Sequence, residues 1–481
     1  MDALLNGSSL EVSGGSASAR PSWLARLVRF FAPATMVSVG YMDPGNWATD
    51  LEGGARFGHR LLWVLVVSNA MALLLQTSSA RLGIVSGLDL AKACRVHHTK
   101  RMSVAFWLLA ELAIIACDLA EVIGSAIALN LLFHVPIVFG AVLTVLDVFV
   151  LLALQRRGTR TIDAVITTLV VAIAVCLVVD LALAHPTARA VAGGLVPRIR
   201  APELYVAIGM LGATLMPHNL YLHSALVRRT EPATAPEVKR RVRSTFVATA
   251  IALNLALVVN AAILLMAATA FGARGIVVVD LRDAYHLLSP TVGAAAASVL
   301  FALGLLCSGQ SATITGTLAG QIVMEGFIDV RLSPVARRFL TRGLAAIPAV
   351  IVLAIVGETA TMPLLLASQV VLSLQLPFAI VPLLRLTRSR VVMGEHATGR
   401  WTTAGSVACA LLVIAANAAL LVHLVVEWRH DSPLLALAVG GLAVLAAVFL
   451  VFVARAPIRR PPASREEPQL GLMSLSSVPP A

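Results

Sequence analysis

The feature that most constrains this chain is a succession of apolar stretches, each roughly 20 residues long and parted by short connections, running from about residue 25 to about residue 455. Lipid supplies no hydrogen-bond partners to an exposed backbone, so stretches of that length cross a bilayer as helices. The chain is therefore expected to fold as an all-α polytopic membrane protein with about twelve spans, centred near residues 42, 75, 118, 145, 172, 215, 256, 307, 350, 374, 413 and 443. Composition agrees, with 58% hydrophobic and only 13% charged residues, against about 25% charged in a soluble domain. A net charge of +12 would suggest a nucleic-acid partner in a soluble chain. Here the bases gather in alternate short loops, so membrane lipids surround the chain and no nucleic acid is expected.

Those loops also give the orientation. Arg20, Arg26 and Arg29 precede the first span, Lys92, Arg95, Lys100 and Arg101 follow the second, and Arg228, Arg229, Lys239, Arg240, Arg241 and Arg243 follow the sixth. The intervening loops are poorer in bases, Arg189, Arg198 and Arg200 being the main exception. By that count both termini are cytoplasmic. Residues 1–24 and 457–481, rich in Ser, Gly, Pro or Glu and without a signal-peptide core, read as disordered cytoplasmic tails. The five cysteines are widely spaced and mostly within apolar spans, which indicates neither a disulfide framework nor a thiolate metal site.

Two spans are interrupted. Met42-Asp43-Pro44-Gly45-Asn46-Trp47 places a carboxylate, a proline and a glycine in the middle of span 1, and Ala213-Thr214-Leu215-Met216-Pro217-His218-Asn219 interrupts span 6. Proline removes a backbone donor, and an ionised Asp at mid-bilayer costs about 2.5 to 3.5 kcal/mol on insertion scales. Five crossings separate the breaks, so the two spans enter the membrane from opposite sides. That order predicts a 5+5 inverted repeat, residues 25–185 against 200–390, with spans 11 and 12 (400–456) appended and a substrate site at the paired breaks. Residue-level similarity between the halves is slight; the symmetry rests on segment order.

The breaks carry a chemistry. The first half-helix is expected to end near Met42 with unpaired carbonyls and the second to begin near Asn46, with Asp43 between the two dipole ends. In span 6 Ala213 offers a carbonyl, Met216 a thioether, and Pro217 suits a first helical turn. Hard oxygens alone would suit Mg2+ or Ca2+; a soft sulfur shifts preference toward Mn2+, Fe2+, Co2+ and Cd2+. Taken singly, a Pro-Gly pair is more often a kink, a buried Met packing and a buried His structural, whereas an intramembrane Asp is functional by default. Their conjunction carries the reading.

Span 3 presents Glu111, Asp118 and Glu121 at spacings of seven and three, on one helical face. Such a stripe either pairs with buried bases for structure or relays protons. Given the orientation, His218 and His223 of span 6 and Arg342 of span 9 converge with it between the metal site and the cytoplasm. The expected route runs from Asp43 to Asp118 and out along Glu121, Glu111, Arg342 and His223. Asp147 in span 4 suggests only a helix contact. An intramembrane enzyme would need a nucleophile and base or an open zinc site, and His218 and His223, five apart, match neither. A sodium-coupled amino-acid symporter would share the architecture but present glycine-rich half-helix amides rather than an Asp-Asn-Met cluster.

Asp43-Pro44-Gly45-Asn46 and Met216-Pro217-His218-Asn219 resemble the paired signature motifs of the Nramp family of proton-coupled divalent-metal transporters. Gly309 to Thr317, continuing through Gln321 to Phe327, resembles that family's transport signature, and Ser373 to Phe378 resembles its tenth span. The resemblance covers about residues 25 to 455. It implies a LeuT-like fold and import of Mn2+ or Fe2+, with Cd2+ and Co2+ also carried, by alternating access in the plasma membrane. It implies that Asp43, Asn46, the Ala213 carbonyl and Met216 hold the metal, with Gln369 joining when the site is occluded, and that Asp118, Glu121, Glu111, His218, His223 and Arg342 serve the proton. Members built for Mg2+ lack the methionine. Metal and proton are then substrates, with no resident cofactor, and a monomer is expected. Gly309 to Gly316 fits close helix packing and is given no ligand. The Ala- and Arg-rich composition suits a bacterial membrane.

Overall fold

A computed structural model describes residues 23–146, 159–276, 278, 280–292, 296–330 and 333–459. Among these residues the regular structure is helical, with no strand. The spans are α1a (Trp23–Val39), α1b (Pro44–Phe57), α2 (Leu62–Ser86), α3 (Lys100–Phe133), α4 (beginning Ile137–Leu143), α5 (Thr159–Ala184), α6a (Leu204–Leu215), α6b (Pro217–Leu226), α7 (Ala235–Ala270), α8 (Ala296–Ile328), α9 (Pro334–Val356), α10 (Thr361–Arg388), α11 (Arg400–Asp431) and α12 (Pro433–Arg455). Asp147 lies outside the described residues.

Nine helical stretches among the described residues are long and apolar enough to cross a membrane. The sixth span is absent from that set because its break leaves pieces of 12 and 10 residues. α1a is a separate short piece for the same reason, and α4 is described only in part. The interruptions read from the sequence thus cut the helices where proline and the residue before it stand.

Packing follows a five-residue-number rule of its own, written in helix numbers. α3 lies on α8; α3 against α10 is matched by α8 against α5; α2 against α6 is matched by α7 against α1b; α6a against α10 is matched by α1a against α5. Adding five to each member of a pair gives another observed pair, which is the 5+5 inverted repeat expressed as contacts. α11 and α12 pack on one another and on α10, outside that scheme. α12 leaves Leu434 82% and Leu437 74% exposed, as a lipid-facing helix does.

The central α3–α8 contact is close because α8 carries glycine where α3 approaches. A β-carbon at Gly309 would collide with Ser125 Oγ, and one at Gly316 would lie 2.9 Å from Glu121 Oε1. The small-residue run thus packs helices, as expected, and also seats a carboxylate.

Candidate functional site

At the first break α1a stops at Val39, one tight turn covers Gly40–Met42, Asp43 is extended and Pro44 opens α1b. At the second, α6a runs to Leu215 and Met216 alone forms the break, at φ 33° and ψ 98°, before Pro217 opens α6b. A bulky residue in that left-handed region is strained backbone, held by its surroundings. Each proline lacks the N–H that would bond the carbonyl four residues earlier. The two oxygens so released belong to Gly40 and Ala213.

Both turn to one group. Asn46 Nδ2 lies 3.3 Å from Gly40 O, 3.2 Å from Ala213 O and 2.9 Å from Asp43 Oδ1. An amide nitrogen has two hydrogens for these three acceptors, so the pocket holds more oxygen lone pairs than the amide can serve. Which end of an Asn faces a site is fixed by its bonds, and a half-turn would bring Oδ1 beside the other three oxygens. In the present orientation Asn46 Oδ1 accepts from Asn260 Nδ2 of α7 at 3.4 Å.

Three other carbonyls near the break are occupied, so the free end expected near Met42 narrows to Gly40. Ser308 Oγ of α8 donates to Met42 O at 2.5 Å, Asn260 Nδ2 to Tyr41 O at 2.8 Å, and Asn219 Nδ2 to Val37 O at 3.4 Å. Gly40, two residues earlier, supplies the oxygen. Asp43 is fully buried; its Oδ1 also caps α1b by accepting from Asn46 N at 2.7 Å, while Oδ2 faces Cys117 Sγ at 3.9 Å. The Met216 sulfur lies 3.6 Å from Asn219 Nδ2 and would be 3.1 Å from a β-carbon on Gly40. It therefore borders the same cluster.

Gln369 of α10 closes the group from the side. A β-carbon at Gly45 would collide with its Nε2, and its Oε1 is buried with no hydrogen-bond partner among the described residues. Asp43, Asn46, Ala213, Met216 and Gln369 are thus brought together. Among the described residues no three His, Cys, Asp or Glu side chains form a metal-binding group. A cation here would draw on one carboxylate, amide and carbonyl oxygens and one thioether, a set suited to a borderline ion.

Beside this cluster runs the α3 stripe. Glu121 Oε2 pairs with Arg342 Nη2 at 3.0 Å, both residues fully buried, and accepts from Thr313 Oγ1 at 3.0 Å. Arg342 also donates to Thr313 Oγ1 and, at 3.2 Å, to the Asp118 carbonyl. Glu111 takes Arg337 Nη2 at 2.8 Å on each oxygen. Arg337 and Arg342 of α9 therefore divide the two glutamates between them. Asp118 Oδ1 is buried without a hydrogen-bond partner among the described residues. Cys117 joins stripe to breaks, its Sγ 3.8 Å from Glu121 Oε1 and 3.8 Å from His218 Nε2.

His223 keeps Nε2 buried without a hydrogen-bond partner among the described residues and bonds through its other ring nitrogen. Its Nδ1 lies 3.0 Å from Gln76 Oε1 of α2, and Gln76 Nε2 donates to the Tyr41 hydroxyl at 2.9 Å. The polar groups form two branches, one through α3, α8 and α9 and one through α2. Sequence reading overlooked Cys117, Asn260, Ser308 and Asp50. Asp50, fully buried with no hydrogen-bond partner for either oxygen among the described residues, lies seven residues beyond Asp43. The signal was present, since each is a polar or small nucleophilic residue inside an apolar span.

Comparisons with known proteins agree with this geometry. Residues 34–423 match the family model described as natural resistance-associated macrophage protein-like, Nramp. The divalent metal cation transporter MntH of Xylella fastidiosa is 51% identical over 419 residues, covering 85% of this chain and 89% of that protein. The transporter of the same name from Listeria monocytogenes serotype 4a is 48% identical over 404 residues, 83% of this chain and 90% of its own. A crystal structure of a mutant Eremococcus coleocola manganese transporter superimposes with a TM-score of 0.82 at 36% identity, covering 91% of this chain and 96% of that one. Mhp1, a nucleobase-cation-symport-1 family transporter, shares the fold alone, with a TM-score of 0.56 at 15% identity over 89% of this chain and 92% of its own. Two interrupted helices facing one oxygen-and-sulfur cluster, in a LeuT-like 5+5 fold and with relatives of this kind, establish that the chain belongs to the Nramp family of divalent-metal transporters and is not an enzyme.

Proposed function

We propose that the chain is a proton-coupled symporter that imports Mn2+ and Fe2+, and also carries Cd2+ and Co2+, across a bacterial plasma membrane by alternating access. It works as a monomer with both termini cytoplasmic, the side on which its loop bases gather. The observation that carries this reading is the convergence of Asp43 Oδ1, Gly40 O and Ala213 O on a single amide nitrogen. An ion entering there displaces the Asn46 NH2, the amide turns to offer Oδ1, and the Asp43 charge offsets the loss of hydration water. Met216 adds a polarizable sulfur that repays a borderline ion better than a hard one, so Ca2+ and Mg2+ are disfavoured. Gln369 completes the enclosure in the occluded state. The unwound residues at both breaks serve as hinges for the half-helices on either side.

Metal arrival at Asp43 expels a proton, which Asp118 receives and which leaves past Glu121 and Glu111. Arg342 and Arg337 hold these glutamates in place, and His218 stands where the stripe meets the breaks. His223, through Gln76 and Tyr41, steadies the turn that carries the Gly40 carbonyl. The test is Mn2+-stimulated acidification of proteoliposomes. Wild type takes up Mn2+ with protons, and Asp118→Asn keeps Mn2+ binding while losing most of the coupled proton flux. Unchanged flux in that variant would overturn the relay, and failure of the wild type to move Mn2+ would overturn the whole reading.

A further inference from the structure

Away from the metal cluster, the connection from α6b to α7 folds into a basic pocket. A cavity of about 470 Å³ lies between the end of α2, residues 228–233 and the first turns of α7, lined by Arg228, Arg229, Arg240 and Arg241. A basic loop of this kind often does no more than orient a membrane protein. Three observations go further.

Half-buried Arg228 lies close enough to Asp89 for their charges to interact, but its Nε is buried without a hydrogen-bond partner among the described residues, and a desolvated N–H with no acceptor is unfavourable. The lining includes Ile84 and Val238, which pack together with Ala80 and Val227 as an apolar floor. Finally, the α7 face that carries Arg240, Arg241 and Ser244 continues through Val247, Ile251, Leu255 and Val258, spaced three or four residues apart and all exposed. Of the two carboxylates at the pocket, Glu237 is committed to the α7 cap, accepting from Thr234 N at 2.8 Å and Thr234 Oγ1 at 2.9 Å. The amino end of α7 adds its own positive dipole.

From this combination we infer that the pocket seats the phosphate headgroup of an anionic phospholipid, with an acyl chain lying along the exposed α7 stripe. Free phosphate would use the arginines but neither the apolar floor nor the stripe, whereas a phospholipid uses all three. Arg228 and Arg229 directly follow α6b, whose other end carries Met216 and His218. A lipid held there therefore tethers one of the half-helices that flank the metal.

The test uses the full-length protein purified in detergent, its thermal unfolding followed with added phosphatidylglycerol, phosphatidylcholine or inorganic phosphate. Phosphatidylglycerol is expected to raise the midpoint, and the other two to leave it nearly unchanged. Arg240→Gln combined with Arg241→Gln, both exposed residues, raises the lipid concentration needed for half the effect by about tenfold. Arg388→Gln combined with Arg390→Gln, an exposed pair elsewhere, keeps the wild-type response. Equal stabilisation by phosphatidylcholine or by phosphate alone would overturn the inference. So would an unchanged response in the pocket variant, or an equal loss in the control pair.

Discussion

Laid over one another, Asp43-Pro44-Gly45-Asn46 and Met216-Pro217-His218-Asn219 match position by position, with proline second and asparagine fourth in each. The correspondence extends to the carbonyls that the prolines release, Gly40 in one and Ala213 in the other. Where the breaks differ is in the residue before proline and in the reach of the asparagine. The first carries a charge and its Asn46 binds across to α6a at 3.2 Å; the second carries a neutral sulfur, and its Asn219 makes longer contacts of 3.4 Å to Val37 O and 3.6 Å to Met216 Sδ. One backbone device is thus used twice, and the proposed function assigns affinity to the first break and selectivity to the second.

Breaking the comparison at its charge should have the largest effect. Asp43→Asn removes the one carboxylate in the cluster, and Mn2+ uptake is expected to fall by at least about 100-fold, near 2.8 kcal/mol. Next come the paired asparagines. Asn46→Ala should weaken Mn2+ transport by about tenfold or more, and Asn219→Ala by only about two- to threefold, in uptake measured side by side. Equal losses would mean that the second break binds as strongly as the first. A finer test restores the missing donor. Pro217→Ala gives α6b an N–H able to capture the Ala213 carbonyl, and the apparent KM for Mn2+ should rise by about fivefold, with thermal stability held or raised. An unaltered KM would remove that carbonyl from the ligand set.

Much of this was legible in the chain. Proline beside Asp or Met inside an apolar span marks a break whatever the tertiary context, because the lost donor is local. The order of segments then dictated the inverted repeat. The identity of the site carbonyl was not legible, because Ser308, 266 positions from Met42, decides which oxygen stays free. The shared Pro and Asn positions of the two motifs were visible in the chain; that their prolines release carbonyls which meet at Asn46 was not. In the α3 stripe Glu111 and Glu121 are ion-paired, and Asp118 keeps an oxygen without a hydrogen-bond partner among the described residues. The pairing of Arg337 with Glu111 and of Arg342 with Glu121 was not legible, since only the approach of α3 assigns partners to bases on the same helix. That His223 bonds across to Gln76 of α2 was not legible either, since spacing along α6b does not encode that contact.

The central claim is that oxygen from one break and sulfur from the other meet on a single ion. X-ray absorption of Cd2+ bound to the purified protein tests it most directly, with Met216→Ala and Cys117→Ser compared against wild type. The account predicts one sulfur neighbour among oxygens in the wild type, kept in Cys117→Ser and lost in Met216→Ala. A sulfur signal that survives Met216→Ala, or an all-oxygen shell in the wild type, would contradict it.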